Sequence, residues 1–287
     1  MLWLIYSQFC ALSNSISDFL SKKGLRNLDE YVVGFSWKFF SLPFISLFVL
    51  LKGIPNVDII FWLMILSSGG LDSIACILYM RAIKSSPLSL TVPMMSFSSP
   101  LLLLTSPIML GESPNVFGAI GVILIVFGTY VISLEDLRYG GFASFKMLRR
   151  EKGIRLMLGA AIITSITANL NKIGIQHSDP LFFLLMWNVF VSALLFPAML
   201  MKSQGSIKIK SANLAILFLI GLCNALMLGF LFYALELASV PYIMSARRTN
   251  IIFSALFGYL FFKEKYILPR LTGTLTMFLG VLVLSLL

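Results

Sequence analysis

Charged residues are scarce in this chain. Of its 287 residues, 12% are charged and 59% are hydrophobic, whereas about 25% of the residues in a typical soluble domain are charged. So few charged groups cannot cover the surface of a soluble protein of this size. The composition therefore excludes a cytosolic enzyme, a disordered tail and a disulfide scaffold, and it indicates a protein with many membrane spans.

Cysteine, histidine and catalytic motifs are equally sparse. Three cysteines lie far apart in apolar runs without a C-x-x-C pair, as is usual for buried reduced thiols. One histidine, His177, cannot build a metal cluster, and no H-E-x-x-H, G-x-S-x-G or P-loop pattern occurs. We therefore expect no enzymatic activity, no metal, no other cofactor and no ATP-driven pumping. The cysteines are Cys10, Cys76 and Cys223.

What the chain does contain is a series of long apolar windows. A bilayer span needs about 20 mainly apolar residues, and short connections rich in Gly, Pro, Asn and charge separate ten such windows. The first window lacks a basic leader, so we expect a retained membrane helix and not a cleaved signal. The windows are roughly 2–22, 31–52, 58–82, 87–110, 114–134, 154–175, 180–202, 212–236, 241–262 and 267–287.

The formal net charge of +10 is distributed unevenly over the connections. Connections after odd-numbered spans carry 17 basic residues, whereas those on the other side carry Lys52 and Lys172. The positive-inside rule then places the odd-numbered connections in the cytoplasm and both termini outside the cytoplasmic membrane. The charge thus reports topology, and we expect no nucleic-acid partner. The 17 residues are Lys22, Lys23, Arg26, Arg81, Lys84, Arg138, Lys146, Arg149, Arg150, Lys152, Arg155, Lys202, Lys208, Lys210, Lys263, Lys265 and Arg270.

The two halves of the chain repeat each other. We predict a first five-helix unit at 1–135, a basic connecting loop at 136–152 and a second five-helix unit at 153–287. Because each unit has an odd number of spans, the second enters the bilayer in the opposite sense, as in the inverted repeats of many secondary transporters. The matched pairs include Ser15 and Ser165, Trp37 and Trp187, Tyr79 and Tyr233, Pro87 and Pro241, Glu112 and Glu264, Gly121 and Gly273, and Gly128 and Gly280.

This repeated pattern resembles the EamA-type family of the drug/metabolite transporter superfamily. The residues that carry the resemblance are Tyr79-Met80-Arg81-Ala82, Leu110-Gly111-Glu112 and their second copies Tyr233-Ala234-Leu235 and Phe262-Lys263-Glu264. The resemblance covers nearly the whole chain and implies a transporter of the cytoplasmic membrane, often an exporter of amino acids or other small metabolites that does not use ATP. Family members commonly look as if both termini are cytoplasmic, which is opposite to the orientation that the loop charges predict here.

Span nine carries the most prominent polar cluster within the predicted membrane segments. Arg247 and Arg248 precede Thr249 and Asn250, and ionisable residues at this depth usually face a cavity or a partner. Adjacent helical positions differ in direction by about 100°. We therefore expect one arginine to reach a substrate and the other to pair with a carboxylate, unless both are paired or snorkel. Relatives of the triose-phosphate type resemble this pattern, with a basic pair that receives an anionic group.

Spans two and three supply further candidates. Lys38 follows Trp37, at the position that Asn188 holds after Trp187 in the second half. Asp72 follows a pair of glycines that indicate either a helix break or close packing. An isolated carboxylate at that depth needs a partner, and Lys38 or an arginine of span nine is the obvious one.

Asp18 in span one allows two interpretations. It pairs with Lys22 at i+4, or else Asp18 or Asp72 is the carboxylate that couples transport to protons.

Span four completes the predicted site. Pro93, Pro100 and Pro107 recur every seven residues, with Ser96 between them, and proline frees backbone carbonyls that must face protein or a water-lined cavity. Because span four is the repeat mate of span nine, we expect the substrate to bind between these two spans.

The sequence as a whole predicts an all-α membrane protein with ten transmembrane helices in two inverted repeats. We expect a secondary transporter, an exporter or exchanger of a small anionic or zwitterionic metabolite such as an amino acid, acting by alternating access. The alternatives are a proton-coupled exporter of lipophilic cations and a membrane scaffold or sensor that transports nothing. The expected partners are the small substrate and the lipid bilayer, and the protein is expected to be a monomer or a homodimer.

Overall fold

The computed structural model describes residues 2–112, 115–136, 151–202, 211–262 and 270–285, and these residues contain helices and no strand. Their helices fall into ten segments that match the ten predicted windows, which confirms the all-helical fold. Most of the predicted connecting loop, residues 137–150, lies outside the described residues, so the division into units at 135 and 153 stays a prediction. By span, the helices are Leu2–Gly24 (one), Glu30–Phe39 and Leu42–Lys52 (two), Ile59–Ser85 (three), Leu88–Thr91, Val92–Phe97 and Ser98–Leu110 (four), Val116–Asp136 (five), Lys152–Gln176 (six), Pro180–Lys202 (seven), Ser211–Leu237 (eight), Val240–Ala246, Arg247–Thr249 and Asn250–Phe262 (nine), and Arg270–Ser285 (ten).

The helix ends follow local rules of capping. Asp58 caps the start of span three, where its carboxylate accepts a hydrogen bond from the backbone N–H of Phe61 at 3.0 Å. Gly53 and Gly111 end spans two and four with φ values of 92° and 68°, a backbone conformation that glycine adopts without a steric penalty.

Five helical stretches of the described residues are long and apolar enough to cross a membrane. They belong to spans two, three, six, seven and eight, whereas the apolar helices of spans four and five are shorter. Large apolar side chains such as Leu50, Leu51 and Ile108 lie exposed on the outer surface, where a bilayer covers them in a membrane protein. The chain is thus built to have lipid around it.

The packing of the spans displays the repeat directly. Span three packs along span six, span one along span eight, and span five along span ten, while span two contacts span seven and span four contacts span nine. Exchanging the two halves turns the first pair into the second and leaves the other three unchanged. This set of interfaces is what two copies of one five-helix unit produce when they associate about a twofold axis.

Spans five and ten approach each other through the glycines that are matched between the two repeats. A Cβ atom on Gly128 would lie 2.6 Å from the carbonyl oxygen of Gly273, and one on Gly280 would lie 2.8 Å from that of Gly121. In span three, a Cβ on Gly69 would lie 2.6 Å from the ring of Phe190. The helix Ile59–Ser85 continues through this point, so close packing explains that glycine and a helix break does not.

Spans four and nine are the interrupted helices. Each contains a 3₁₀ segment between two α-helical pieces, Val92–Phe97 in span four and Arg247–Thr249 in span nine. A 3₁₀ stretch inside a helix often marks a functional site. The two breaks occupy corresponding places in the two repeats, and the second one carries both arginines.

Candidate functional site

A cavity lies within the helix bundle. Spans one to four and six to nine all contribute to its lining, so each repeat supplies four walls. Polar side chains border it on several sides, among them Asn14, Thr164, Thr167 and Asn171. A cavity that is apolar for the most part and has a few convergent polar groups is the usual form of a small-molecule site.

Lys38 and Asp72 form a buried ion pair in the wall of this cavity. Lys38 Nζ lies 3.0 Å from Asp72 Oδ2, and the two side chains are 3% and 17% exposed. The same ammonium lies 4.0 Å from the ring centroid of Trp187 and 5.0 Å from that of Trp37. The partner of Asp72 is therefore Lys38 and not an arginine of span nine. The repeat-related tryptophans meet around one cation.

Three contacts hold Trp37 in place. Its indole N–H donates to Ser17 Oγ at 2.9 Å, and its ring stacks on Tyr79 with centroids 5.7 Å apart. Its backbone carbonyl accepts a hydrogen bond from Asn224 Nδ2 at 2.9 Å. The Trp187 indole N–H, in contrast, has no hydrogen-bond partner among the described residues. These contacts hold the Trp37 side chain in place, whereas the Trp187 N–H stays available to a hydrogen-bond acceptor.

Both arginines of span nine border the cavity. Arg248 is 2% exposed and donates from Nη2 to Ser98 Oγ at 2.5 Å, while the half-buried Arg247 contacts Met227 Sδ at 3.3 Å. In the described part of the chain, neither guanidinium has a carboxylate within 4.0 Å, so the expected carboxylate partner is replaced by Ser98. The Nε–H groups of both arginines are buried without a hydrogen-bond acceptor among these residues. Two cationic groups therefore keep unused donors beside the cavity.

Asp18 is directed away from its predicted i+4 partner. Its carboxylate is 1% exposed, and Oδ1 accepts a hydrogen bond from the Tyr79 hydroxyl at 2.7 Å. Lys22 Nζ donates to the backbone carbonyls of Ile83 at 2.7 Å and Ser86 at 2.6 Å. Asp18 Oδ2 has no hydrogen-bond partner in the part of the chain that the structure describes.

The remaining predicted residues are divided between the cavity and the protein interior. Asn250 borders the cavity, and its backbone carbonyl accepts a hydrogen bond from Ser15 Oγ at 2.7 Å. Ser96 is buried in the 3₁₀ segment of span four and is outside the described lining of the cavity, to which that span contributes Val92 and Met95. The cavity thus extends well beyond the interface of spans four and nine.

Two lining residues have roles that the sequence did not single out. Tyr79 joins Asp18 to the cavity wall, and Asn171 of span six presents an amide oxygen without a partner among the described residues. The sequence signal for Tyr79 is its place in the repeated motif, where it matches Tyr233. Asn171 has no such signal, because a membrane asparagine pairs with another helix as readily as it binds a ligand.

A polar cluster around Glu112 joins the ends of spans four, six, eight and nine. Lys172 forms an ion pair with Glu112 and also donates to the Ala238 carbonyl at 2.7 Å. Glu112 Oε2 accepts from Ser239 Oγ at 2.8 Å and from the backbone N–H of Val240 at 3.0 Å. Glu112 thus caps the start of span nine from the end of span four.

Comparison with known proteins supports the same architecture. The model of the EamA-like transporter family matches residues 1–134 and 151–286. The chain belongs to the EamA-like transporter family. It is therefore a multi-pass membrane protein of the drug/metabolite transporter type.

Solved structures agree on the fold of this transporter. One, titled only "Crystal structure of protein", superposes with a TM-score of 0.76 at 12% sequence identity, covering 99% of this chain and 96% of that one. No curated protein matches the sequence. The family thus establishes a membrane transporter, and the chemistry of the cavity has to indicate the substrate.

Proposed function

We propose that this protein is a secondary transporter that carries a small anionic or zwitterionic metabolite, such as an amino acid, by alternating access, as an exporter or an exchanger. One observation carries this proposal. Arg247 and Arg248 border the central cavity without a carboxylate within 4.0 Å in the described residues, and each retains a buried N–H without an acceptor there. A guanidinium presents a planar fork of donors that matches a carboxylate or phosphate.

The charges around the cavity favour an anion. The ammonium of Lys38 is already balanced by Asp72 at 3.0 Å, which leaves the two arginines as the cations available to a ligand. For a zwitterion, the ammonium group would find the amide oxygens of Asn14 and Asn171 in the cavity lining, and neither oxygen has a hydrogen-bond partner among the described residues. A substrate carboxylate would then supply the carboxylate partner that the arginines do not find in the described part of the chain, since a buried charge is costly unless it is paired.

The same geometry argues against a lipophilic cation. Such a ligand is recognised by aromatic rings together with a membrane carboxylate. Trp37, Trp187 and Asp72 form that combination here, but the Lys38 ammonium occupies it at 4.0 Å from the Trp187 centroid. A cationic drug would have to displace the Lys38 ammonium, which belongs to the protein and already lies between these groups.

The central cavity and the symmetric packing of the repeats favour a transporter over a scaffold or sensor. Eight spans converge on one cavity with several polar side chains in its lining. The set of packing interfaces is unchanged when the repeats are exchanged, so each repeat is able to adopt the conformation of the other. Lys22 and Lys172 are repeat mates that bind backbone carbonyls at the ends of spans three and eight. Breaking one set of contacts while the other remains intact would open the cavity to one side at a time.

The orientation of the transporter is part of the proposal. We place the odd-numbered connections in the cytoplasm and both termini outside the cytoplasmic membrane, as the loop charges predict. A reporter that works only in the cytoplasm, fused after Leu287, should be inactive. Reporter activity at that position would reverse the orientation.

A ligand screen tests the substrate class. Purified protein is heated with amino acids, organic acids, sugar phosphates and lipophilic cations, and a ligand at 100 times its Kd should stabilise the fold by about 2.7 kcal/mol. Arg247→Gln should weaken binding of an anionic hit roughly 10- to 150-fold, because a hydrogen bond to a charged group contributes about 1.5–3 kcal/mol. Lys23→Ala is the matched control, since it removes an exposed charge that does not border the cavity.

The outcomes of this screen are distinct. Binding of amino acids or organic anions that is lost in Arg247→Gln and kept in Lys23→Ala supports the proposal. Hits confined to lipophilic cations, or anion binding that both variants retain equally, refute it.

A further inference from the structure

Asp18 and Asp72, two carboxylates that lie more than one turn from the ends of their membrane spans, have different surroundings. Asp72 has a lysine partner at 3.0 Å and belongs to a neutral pair. Asp18 is 1% exposed, has no Lys or Arg within ion-pair distance among the described residues, and leaves Oδ2 without a partner there. Its remaining oxygen accepts from Tyr79, which itself borders the cavity. Asp18 is thus a buried acid with one free site and a hydrogen-bonded connection to the cavity.

The groups that face Asp18 come from two other spans. Span one contacts span three and the Arg247–Thr249 segment of span nine, and the titratable groups that act on Asp18 among the described residues are Tyr79, Arg247 and Arg248, while span eight, which packs along span one, contributes none. On its own helix, Lys22 lies one turn further on and donates to two backbone carbonyls. The charge on Asp18 is therefore supported by the Tyr79 hydroxyl and by the field of the same two arginines that border the substrate cavity.

We propose that Asp18 is a proton-binding site linked to the anion site at Arg247 and Arg248, so that the proton and the anionic substrate bind together and cross the membrane together. This inference rests on the proposed function. An anion bound to the arginines neutralises the field that favours the Asp18 carboxylate. The carboxylate then takes up one proton at Oδ2, while Tyr79 continues to donate to Oδ1. An O–H bond forms at Oδ2 while one O–H bond of a hydronium ion in the cavity water breaks, and no other covalent bond changes.

The linkage has a mechanistic benefit. A monoanion and a proton add no net charge to the bundle, so the loaded and the empty transporter carry the same charge when they reorient in the membrane. An unbalanced charge inside a bilayer costs several kcal/mol. The sign of the coupling between substrate and proton also separates the substrate classes. A bound anion favours protonation of Asp18, whereas a bound cation would disfavour it.

A measurement without substrate tests the proton site. Difference infrared spectroscopy between alkaline and acidic buffer records the C=O band of a newly protonated buried carboxyl group. This band should disappear in Asp18→Asn and persist in Asp72→Asn. Loss in Asp72→Asn with retention in Asp18→Asn overturns the assignment.

The link to the arginines is tested in variants that keep Asp18. Arg247→Gln mimics neutralisation by an anion, so the Asp18 band should appear at a higher pH than in the wild type. Tyr79→Phe keeps the ring and removes the hydrogen bond to the carboxylate, and it should act in the same direction. Lys23→Ala should leave the band unchanged. A band that appears at the same pH in Arg247→Gln and in the wild type refutes the linkage.

Binding of methanesulfonate, an anion whose charge is constant over this range, measures the coupling itself. The wild type should bind it about 5- to 150-fold more tightly in acid than in alkali, the usual size of a coupling between two sites. Asp18→Asn should bind it with little pH dependence. Binding without pH dependence in the wild type overturns the coupling and leaves the proposed function intact, whereas no binding at any pH counts against both. If methanesulfonate does not bind, a pH-dependent infrared band that is lost in Asp18→Asn still identifies Asp18 as a proton site.

Discussion

The Lys38–Asp72 pair offers the sharpest test of how the cavity is held together. The Nζ–Oδ2 distance is 3.0 Å and the side chains are 3% and 17% exposed, so this is a buried pair. Removing one partner of a buried pair costs about 3–5 kcal/mol, because it leaves an uncompensated charge. Replacing both partners by neutral groups of similar volume is often harmless.

The two single variants should differ. Asp72→Asn leaves an ammonium that still lies 4.0 Å from one indole centroid and 5.0 Å from the other, and these contacts return about 0.5–2 kcal/mol. Asp72→Asn should therefore lose roughly 2–4 kcal/mol. Lys38→Met leaves a carboxylate that is 17% exposed, which water in the cavity can solvate. We expect the loss there to be smaller, about 1–3 kcal/mol.

The double variant Lys38→Met/Asp72→Asn completes the cycle. It should lie within about 1 kcal/mol of the wild type. With single losses of about 2–4 and about 1–3 kcal/mol, the coupling energy between the two sites should then be at least about 2 kcal/mol, in or above the upper part of the range of about 0.5–3 kcal/mol that contacting residues show. Equilibrium unfolding in detergent micelles, followed by tryptophan fluorescence, measures all four proteins. Lys52→Met is the matched control, since Lys52 pairs with Asp179 but is 51% exposed, and such a pair contributes about 0–1 kcal/mol.

One result would refute this reasoning. If the double variant is as unstable as the worse single variant, the cost comes from lost packing and not from an unpaired charge. A loss in Lys52→Met equal to that in Asp72→Asn would likewise show that burial does not decide the effect.

Two further predictions concern packing and closure. Gly128→Ala should destabilise the protein by about 1–3 kcal/mol, since its Cβ would lie 2.6 Å from the Gly273 carbonyl oxygen. Gly70→Ala, whose Cβ would have nothing within 4 Å, should be neutral or stabilise the protein by up to about 1 kcal/mol. Thermal unfolding in detergent compares the two variants, and equal losses of stability would contradict the close packing at Gly128. Glu112→Gln should break the ion pair with Lys172 and make the cavity more accessible to solvent. The rate at which a cysteine reagent labels a cysteine placed at Thr164 in the cavity lining measures this accessibility. An unchanged labelling rate would mean that this cluster does not close the bundle.

The two repeats share a fold and differ in chemistry. Their interfaces are unchanged when the halves are exchanged, and both contain a 3₁₀ break in the fourth helix. Yet the break in span nine carries two arginines where the break in span four carries methionine and serine, and Asn188 stands at the repeat position of Lys38. The symmetric part allows two equivalent conformations, and the asymmetric part creates one charged site.

Much of the architecture is determined by the sequence itself. Each span must be apolar over its own length, because lipid offers no partner for its polar groups. Ten such windows and matched pairs such as Trp37 and Trp187 therefore predict the helices and the repeat. The glycines of spans five and ten were also predictable as packing positions, since only a residue without a side chain admits such close approach.

The tertiary structure alone decided the partners of the buried charges. Lys22 and Asp18 are one turn apart, yet each binds residues about 60 positions away, because the packing of span three against span one offers carbonyls to Lys22 and a hydroxyl to Asp18. Arg248 donates a hydrogen bond to Ser98, 150 positions away, because span four packs against span nine. Hydropathy is a local property of a segment, whereas the direction of a side chain in a bundle depends on how all the helices rotate and break. The membrane fold is therefore readable from the sequence, and the partners of the charged side chains around the cavity are not.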